Sequence, residues 1–167
     1  MAGSGAIHAG SIQQGHLLPR PIAGGALLHP VVLAAIALLV FNDHFLKAAW
    51  PGPITGKISD FAGLVFFPLF LQALCQLALA ITGRDSAPTR SQIAAAVVAV
   101  GVVFAATKLW PEANGAVSHV MGAMQWLVGQ VIGIRSPGPV PVEMARDATD
   151  LVALPSLILA YALGRPR

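Results

Sequence analysis

Charged residues are scarce in this chain. Only 10% of its 167 residues are Asp, Glu, Lys or Arg, and 56% are hydrophobic, whereas an ordinary soluble domain carries about 25% charged residues. The mean hydropathy of +0.73 agrees with this bias. The composition excludes a soluble globular enzyme. It also excludes a disordered or nucleic-acid-binding chain, because both classes need dense charge and few aliphatic residues.

Cysteine and catalytic motifs are also lacking. The one cysteine, Cys75, cannot form an internal disulfide, and no CxxC or Cys/His spacing is present for a zinc or redox centre. No GxSxG motif, HExxH motif or phosphate-binding glycine loop occurs in the sequence. We therefore predict no cofactor and no metal site, and we interpret Cys75 as a packing residue within an apolar run.

Positive charge is in slight excess, with ten Lys and Arg against seven acids, but it forms no basic block. Scattered charges of this kind flank and orient membrane helices, so we predict the lipid bilayer, and not nucleic acid, as the partner. The glycine-rich first 26 residues lack the pattern of a secretory signal. We expect 1–26 to be a flexible tail and 27–167 to form one multi-pass helical domain in the cell inner membrane.

Five apolar stretches are candidate membrane spans, because a bilayer core needs about 20 apolar residues in a helix. The sequence predicts an all-α polytopic transmembrane bundle of four or five spans. The uncertain stretch, 115–134, either crosses the membrane or lies in the interface, and its small residues form a seam that would dock another helix in a homo- or hetero-oligomer. The five stretches are 30–50, 61–82, 93–109, 115–134 and 148–164.

Two of these spans reach the required length only by including acids. The strictly apolar run 31–41 is about half the needed length, so a crossing that extends to Trp50 takes Asp43 to membrane depth. The last span must start near 147 or 148, which draws Asp150 toward the bilayer. Acids at such positions are costly unless they are paired.

Two segments of the chain echo each other. Residues 51–54 (Pro-Gly-Pro-Ile) lead into 59–64 (Ser-Asp-Phe-Ala-Gly-Leu), and residues 137–140 (Pro-Gly-Pro-Val) lead into 149–154 (Thr-Asp-Leu-Val-Ala-Leu). With five spans, the two units would form an inverted-topology repeat, as in secondary transporters. Alternatively, Pro-Gly-Pro simply stops one helix and Ser-Asp or Thr-Asp caps the next.

The predicted layout brings seven polar residues to one side of the membrane. Asp43 and Lys47 are four residues apart and can pair, while Lys57 and Lys108 are available to pair with Asp60. Such a cluster is either an ion or proton relay, a clamp for an anionic solute or headgroup, or a structural salt-bridge network. The candidate binding residues are these seven and Asp150: Asn42, Asp43, His44, Lys47, Lys57, Asp60, Lys108 and Asp150.

The run 42–47 (Asn-Asp-His-Phe-Leu-Lys), followed by 55–64 (Thr-Gly-Lys-Ile-Ser-Asp-Phe-Ala-Gly-Leu), resembles a pattern of small bacterial polytopic membrane proteins. The early Lys-x-Ser-Asp-Phe and the late Asp-x-x-Asp before the last span also resemble VanZ-like envelope proteins. The VanZ-like resemblance implies a role in the cell envelope, in glycopeptide or lipid-linked stress, without a defined reaction.

Three functions are compatible with this sequence. The leading hypothesis is the binding or transport of a small ion, proton or anionic lipid-like solute by the charged cluster. A rival is a membrane enzyme that acts on a lipid-linked substrate, with Asp43, His44 and Asp60 as acid-base residues. A third is a non-catalytic subunit of a membrane complex that docks through the 115–134 seam.

Overall fold

A computed structural model describes residues 23–134 and 136–166, and they are helical with connecting turns and loops. Among them, three helices are long and apolar enough to cross a membrane, and a shorter apolar helical stretch, Ala148–Gly164, follows near the end. A short 3-10 turn, Gly25–Leu28, precedes the first long helix. The main helices are α1 (Pro30–Ala49), α2 (Pro53–Ile81), α3 (Arg90–Leu109), α4 (Pro111–Val131) and α5 (Ser156–Gly164).

Local sequence signals set where these helices begin. Pro30, Pro53 and Pro111 each occupy the first turn of a helix, where a missing N–H costs nothing. Thr89 and Gln92 form a capping box at the start of α3. Helix α2 therefore starts eight residues before the span predicted from 61, because the polar stretch that precedes Phe61 is itself helical.

Helices α2 and α5 run in the same direction. At one end of the bundle, Lys108 bonds both Asp60 of α2 and Asp150, which lies just before α5. At the other end, the Gln72 amide of α2 donates to the Gly164 carbonyl at the end of α5, at 3.0 Å. The two echoed segments, 59–64 and 149–154, thus enter the bundle from the same end. An inverted repeat, as expected for five spans, would need them to enter from opposite ends, so the structure does not contain one.

The segment that follows α4 explains this direction. Residues 136–147, here called the return segment, run back along α4. The Trp126 indole N–H donates to the Ser136 carbonyl, Ser118 exchanges bonds with the backbone of Val142, and the Asn114 amide donates to the Met144 carbonyl. Helix α4 and the return segment together bring the chain back to the end at which α4 began.

The return segment covers part of the small-residue seam of α4. A Cβ at Gly122 would collide with the backbone carbonyl of Val140, so the two chains approach as closely as glycine allows. Ser118 and Gly122 are both buried. At these two positions the face that was predicted to dock another helix contacts the chain's own backbone.

Apolar side chains fill the space between α1, α2, α3 and α5. Val32, Leu69 and Ile93 form one buried cluster, on the side of the bundle where Gly164 ends α5. A second cluster, nearer the charged end, contains Leu64, Ala153 and Leu157. Close packing of this kind is the main source of attraction between helices in a membrane.

The predicted N-terminal tail lies mostly outside the described residues, which begin at 23. Within them, Gly24 has a left-handed conformation (φ +75°), and its N–H donates to the Gln76 side-chain oxygen of α2 at 2.7 Å. This hydrogen bond links the chain to α2 at Gly24.

Candidate functional site

Lys108 stands at the centre of a buried ionic cluster. Its Nζ donates to Oδ2 of Asp60 at 3.0 Å and to Oδ2 of Asp150 at 2.7 Å. The side chains of Lys108 and Asp150 are only 10% and 8% exposed. The ammonium also lies 5.4 Å from the centre of the Phe104 ring, within range of a cation–π contact. One lysine thus ties α3 to α2 and to the start of the last helical stretch.

Lys57 extends the cluster toward the surface. Its Nζ contacts Oδ1 of Asp150 and Oγ1 of Thr149, each at 2.7 Å, and Oδ2 of Asp147 at 3.6 Å. Asp147 is 42% exposed, so the cluster passes from an accessible carboxylate to buried ones. We call these five ionic side chains the charge network: Lys57, Asp60, Lys108, Asp147 and Asp150.

The local structure explains why these residues meet. Lys57 and Asp60 are three apart on α2 and so share one side of the helix. Asp147 caps the 3-10 turn Ala148–Ala153, because the N–H and hydroxyl of Thr149 donate to its carboxylate at 2.8 and 2.7 Å. The cap turns the chain inward, which buries Asp150 beside both lysines.

The donors from Thr149 lower the pKa of Asp147 from its ordinary value of 3.8, and the nearby Lys57 adds to this effect. A carboxylate with a depressed pKa stabilises the fold above its ordinary pKa, and this contribution is lost as the pH falls through the lower folded value. We therefore expect Asp147→Asn to lower the melting temperature at neutral pH. Melting curves recorded from pH 7 to pH 2 should converge with those of the native chain in acid; a constant difference would contradict the assignment.

A second polar group lies beside the network, where α1 widens into a π-helical turn, Asn42–Leu46. The fully buried Asn42 amide donates to the Thr55 carbonyl and to Ser59 Oγ, each at 2.7 Å. Ser59 in turn donates to Oδ1 of Asp43, and Lys47 pairs with the same oxygen, both at 2.7 Å. Such turns often occur at functional sites. We call Asn42, Ser59, Asp43 and Lys47 the Asn42 chain.

Not every predicted contact is present in this arrangement. The structure contains the pairs Asp43–Lys47 and Asp60–Lys108. Lys57, however, contacts Asp150 and Asp147 and not Asp60 among the described ion pairs. With five spans, Asp150 would lie on the opposite side of the membrane from the other candidates. In the structure it bonds both Lys57 and Lys108.

His44 lies on the exposed surface of α1, where its Nδ1 contacts the carbonyl of Val40 in the preceding turn at 3.0 Å. Its ring therefore contacts its own helix, while the neighbouring Asp43 contacts Ser59 and Lys47. Sequence reasoning gave no binding role to Ser59, Asp147 and Thr149, which complete the two groups. The sequence signal for these three residues was the Ser-Asp dipeptide 59–60, the Thr-Asp dipeptide 149–150 and the Asp-x-x-Asp spacing 147–150. The dipeptides were interpreted as helix caps, and the spacing as part of the VanZ-like resemblance.

Across residues 23–134 and 136–166, no group of three or more His, Cys, Asp or Glu side chains is arranged to hold a metal ion. Comparison with protein-family models, curated proteins and solved structures finds no match for this chain. The resemblance to VanZ-like proteins therefore stays a prediction.

Proposed function

We propose that this chain is an integral protein of the cell inner membrane that takes up protons at the charge network, at one end of the bundle, as a step in moving them across the membrane. The observation that carries the proposal is the charge balance of the network, in which three carboxylates face two ammonium groups. The two least exposed carboxylates, Asp60 and Asp150 (17% and 8% exposed), share the single ammonium group of Lys108, and unbalanced negative charge at this depth is costly. Uptake of one proton makes the network neutral.

The same balance argues against an anionic ligand. Lys57 and Lys108 both contact carboxylates at 3.0 Å or less, and Lys47 pairs with Asp43. A lipid phosphate or another anion would have to displace a carboxylate from a lysine and leave that carboxylate unpaired. Of the ion, proton and anionic solute left open by the sequence, the proton fits the network best.

The order of the contacts supports proton movement as well as binding. Asp147 is accessible at the surface, Lys57 bridges it to Asp150, and Lys108 bridges Asp150 to Asp60 inside the bundle. Ionisable side chains linked in this way within a membrane region are the usual elements of proton relays. Asp60 is the last carboxylate of this series, and we expect proton movement to depend on it.

An Asp60→Asn variant tests this function. It keeps the side-chain volume but removes the ionisable group, so proton flux into liposomes loaded with a pH-sensitive dye should fall at least tenfold, which corresponds to about 1.4 kcal/mol. Asp85→Asn is the matched control, because Asp85 lies in an exposed loop and bonds only the N–H of Ala87 among the described residues. Flux that survives in a folded Asp60→Asn variant would refute the proposal.

An Asp60→Glu variant distinguishes a proton-binding role of Asp60 from a purely structural one. It retains an ionisable carboxyl group one methylene longer, so we expect part of the flux to return, whereas a purely structural role would be disturbed by the longer side chain. The flux of the two variants should be compared only if each melts within a few degrees of the native chain.

The geometry gives less support to an enzyme that would use Asp43, His44 and Asp60. His44 contacts the Val40 carbonyl of its own helix, Asp43 contacts Ser59 and Lys47, and Asp60 contacts Lys108. General acid-base catalysis needs groups that reach one reacting atom. A docking role for the α4 seam is also less favoured, because the return segment occupies it at Ser118 and Gly122.

A further inference from the structure

Three exposed arginines lie at the end of the bundle opposite the charge network. Arg84 follows the end of α2, Arg90 begins α3, and Arg165 follows the end of α5. All three residues are exposed, and none of them takes part in an ion pair within residues 23–134 and 136–166. Asp85 is the one acid of the described chain at this end. We call Arg84, Arg90 and Arg165 the arginine end.

Helix contacts bring these arginines to the same side of the bundle. The Gln72 amide of α2 donates to the Gly164 carbonyl, one residue before Arg165. The side chain of Ile93, three residues after Arg90, lies so close to Gly164 that a Cβ there would collide with it. Helix α2 continues past this level to its C-terminal turn, which carries the third arginine.

The end that contains the charge network has the opposite sign. Glu112 lies in the first turn of α4, and Glu143 lies between two return-segment residues that bond this part of α4. Among the described residues, six acids against four cations give this end a formal charge of −2, whereas three arginines against Asp85 give the arginine end +2. The four cations are all three lysines of the chain and Arg146, and the six acids are Asp43, Asp60, Glu112, Glu143, Asp147 and Asp150.

The positive groups of the two ends also differ in what they can bind. Each lysine already contacts a carboxylate at 3.0 Å or less, which leaves Arg146 at that end. A guanidinium group can bind phosphate oxygens through two parallel hydrogen bonds. Anionic lipid headgroups of the cytoplasmic leaflet attract the Lys and Arg residues that flank membrane helices. The arginine end has the charge and the donors for such a surface, and the negative end does not.

We propose that the arginine end binds the anionic phospholipid headgroups of the cytoplasmic leaflet, so that the charge network faces the outer side of the membrane. This placement rests on the membrane location proposed above but not on proton binding. Together with the proposed function, it sets the side from which protons are taken up, because the accessible carboxylate of Asp147 then faces the outside.

Labelling of intact cells with a membrane-impermeant maleimide tests the orientation. In a Cys75→Ser background, Ala145→Cys should react in intact cells, whereas Ser86→Cys, between the first two arginines, should react only after the cells are permeabilised. Replacing all three arginines by Gln should abolish this difference in part of the molecules, because the bias of Lys and Arg sets the orientation. Arg146→Gln, the same change at the other end, is the control and should leave the labelling unchanged. Reaction of Ser86→Cys in intact cells with the arginines present would overturn the proposal.

Melting in two lipid compositions tests the headgroups. The full-length protein should melt about 3 °C higher in phosphatidylcholine nanodiscs that contain phosphatidylglycerol than in phosphatidylcholine alone. The variant with three Gln substitutions should lose this gain, and Arg146→Gln should retain it. Equal melting in both lipids would overturn the proposal, as would a gain that survives in the triple variant. Neither measurement involves proton flux, so the function tested with Asp60→Asn stands or fails separately.

Discussion

A Lys108→Met variant should unfold far more easily than the native chain. The substitution keeps most of the apolar stem but removes the ammonium group that holds both Asp60 and Asp150. Breaking a buried ion pair from one side costs about 3–5 kcal/mol, because it leaves an uncompensated charge in the interior. Here two carboxylates lose a shared cation, so we expect the upper part of this range and a melting temperature lower by about 10 °C.

Intrinsic tryptophan fluorescence during heating in mild detergent measures this effect, and Lys47→Met provides the matched control. Lys47 makes a 2.7 Å pair with Asp43 but is 42% exposed. Exposed pairs contribute about 0–1 kcal/mol, so this variant should melt close to the native chain. If the two lysine variants melted alike, Lys108 would not be the link between α2, α3 and the start of the last helical stretch.

A Gly122→Val variant should detach the return segment from α4. No side chain fits at this position, because even a Cβ would collide with the Val140 carbonyl oxygen. The obstacle is backbone and not a flexible side chain, so we expect a cost at or above the usual 1–3 kcal/mol of overpacking. The bonds between Ser118 and Val142 should break with it.

Hydrogen exchange by mass spectrometry reports this detachment directly. The N–H of Val142 should lose its protection in Gly122→Val, while exchange in α2 and α3 stays close to that of the native chain. Gly115→Val is the control on the same helix, because a Cβ at Gly115 meets nothing within 4 Å. Unchanged protection of Val142 in Gly122→Val would show that the segment does not pack here.

The helices were largely predictable from the sequence because their signals are local. Three signals were used: proline at the first turn, apolar runs, and the need to include charges to reach the length of a span. They located the ends of α1 and α3, and the start of the last helical stretch, close to the observed positions. Helix α2 itself begins at Pro53, eight residues before the predicted span, because hydropathy marks the apolar part of a helix and not its polar first turns.

The position of Asp150 was not predictable in the same way. It depends on the direction in which the last helical stretch runs, and this is set by the non-local contacts of the return segment with Ser118 and Gly122. Glycine and serine on α4 were recognised as a close-packing face, but composition does not distinguish a neighbouring helix from an extended segment. The pairing of Asp60 with Lys108 was predictable from the layout of the second and third spans alone, because it does not depend on the direction of the last helical stretch.

The central claim is that Asp60, Lys108 and Asp150 meet at one end of the bundle, and sidedness tests it most directly. In a Cys75→Ser background, single cysteines at exposed positions can be labelled from outside sealed vesicles with a membrane-impermeant maleimide. Ile54→Cys and Ala145→Cys should react on the same side, and Arg84→Cys, in the loop between α2 and α3, on the other. Labelling of positions 54 and 145 from opposite sides would contradict the charge network and the proton function that depends on it.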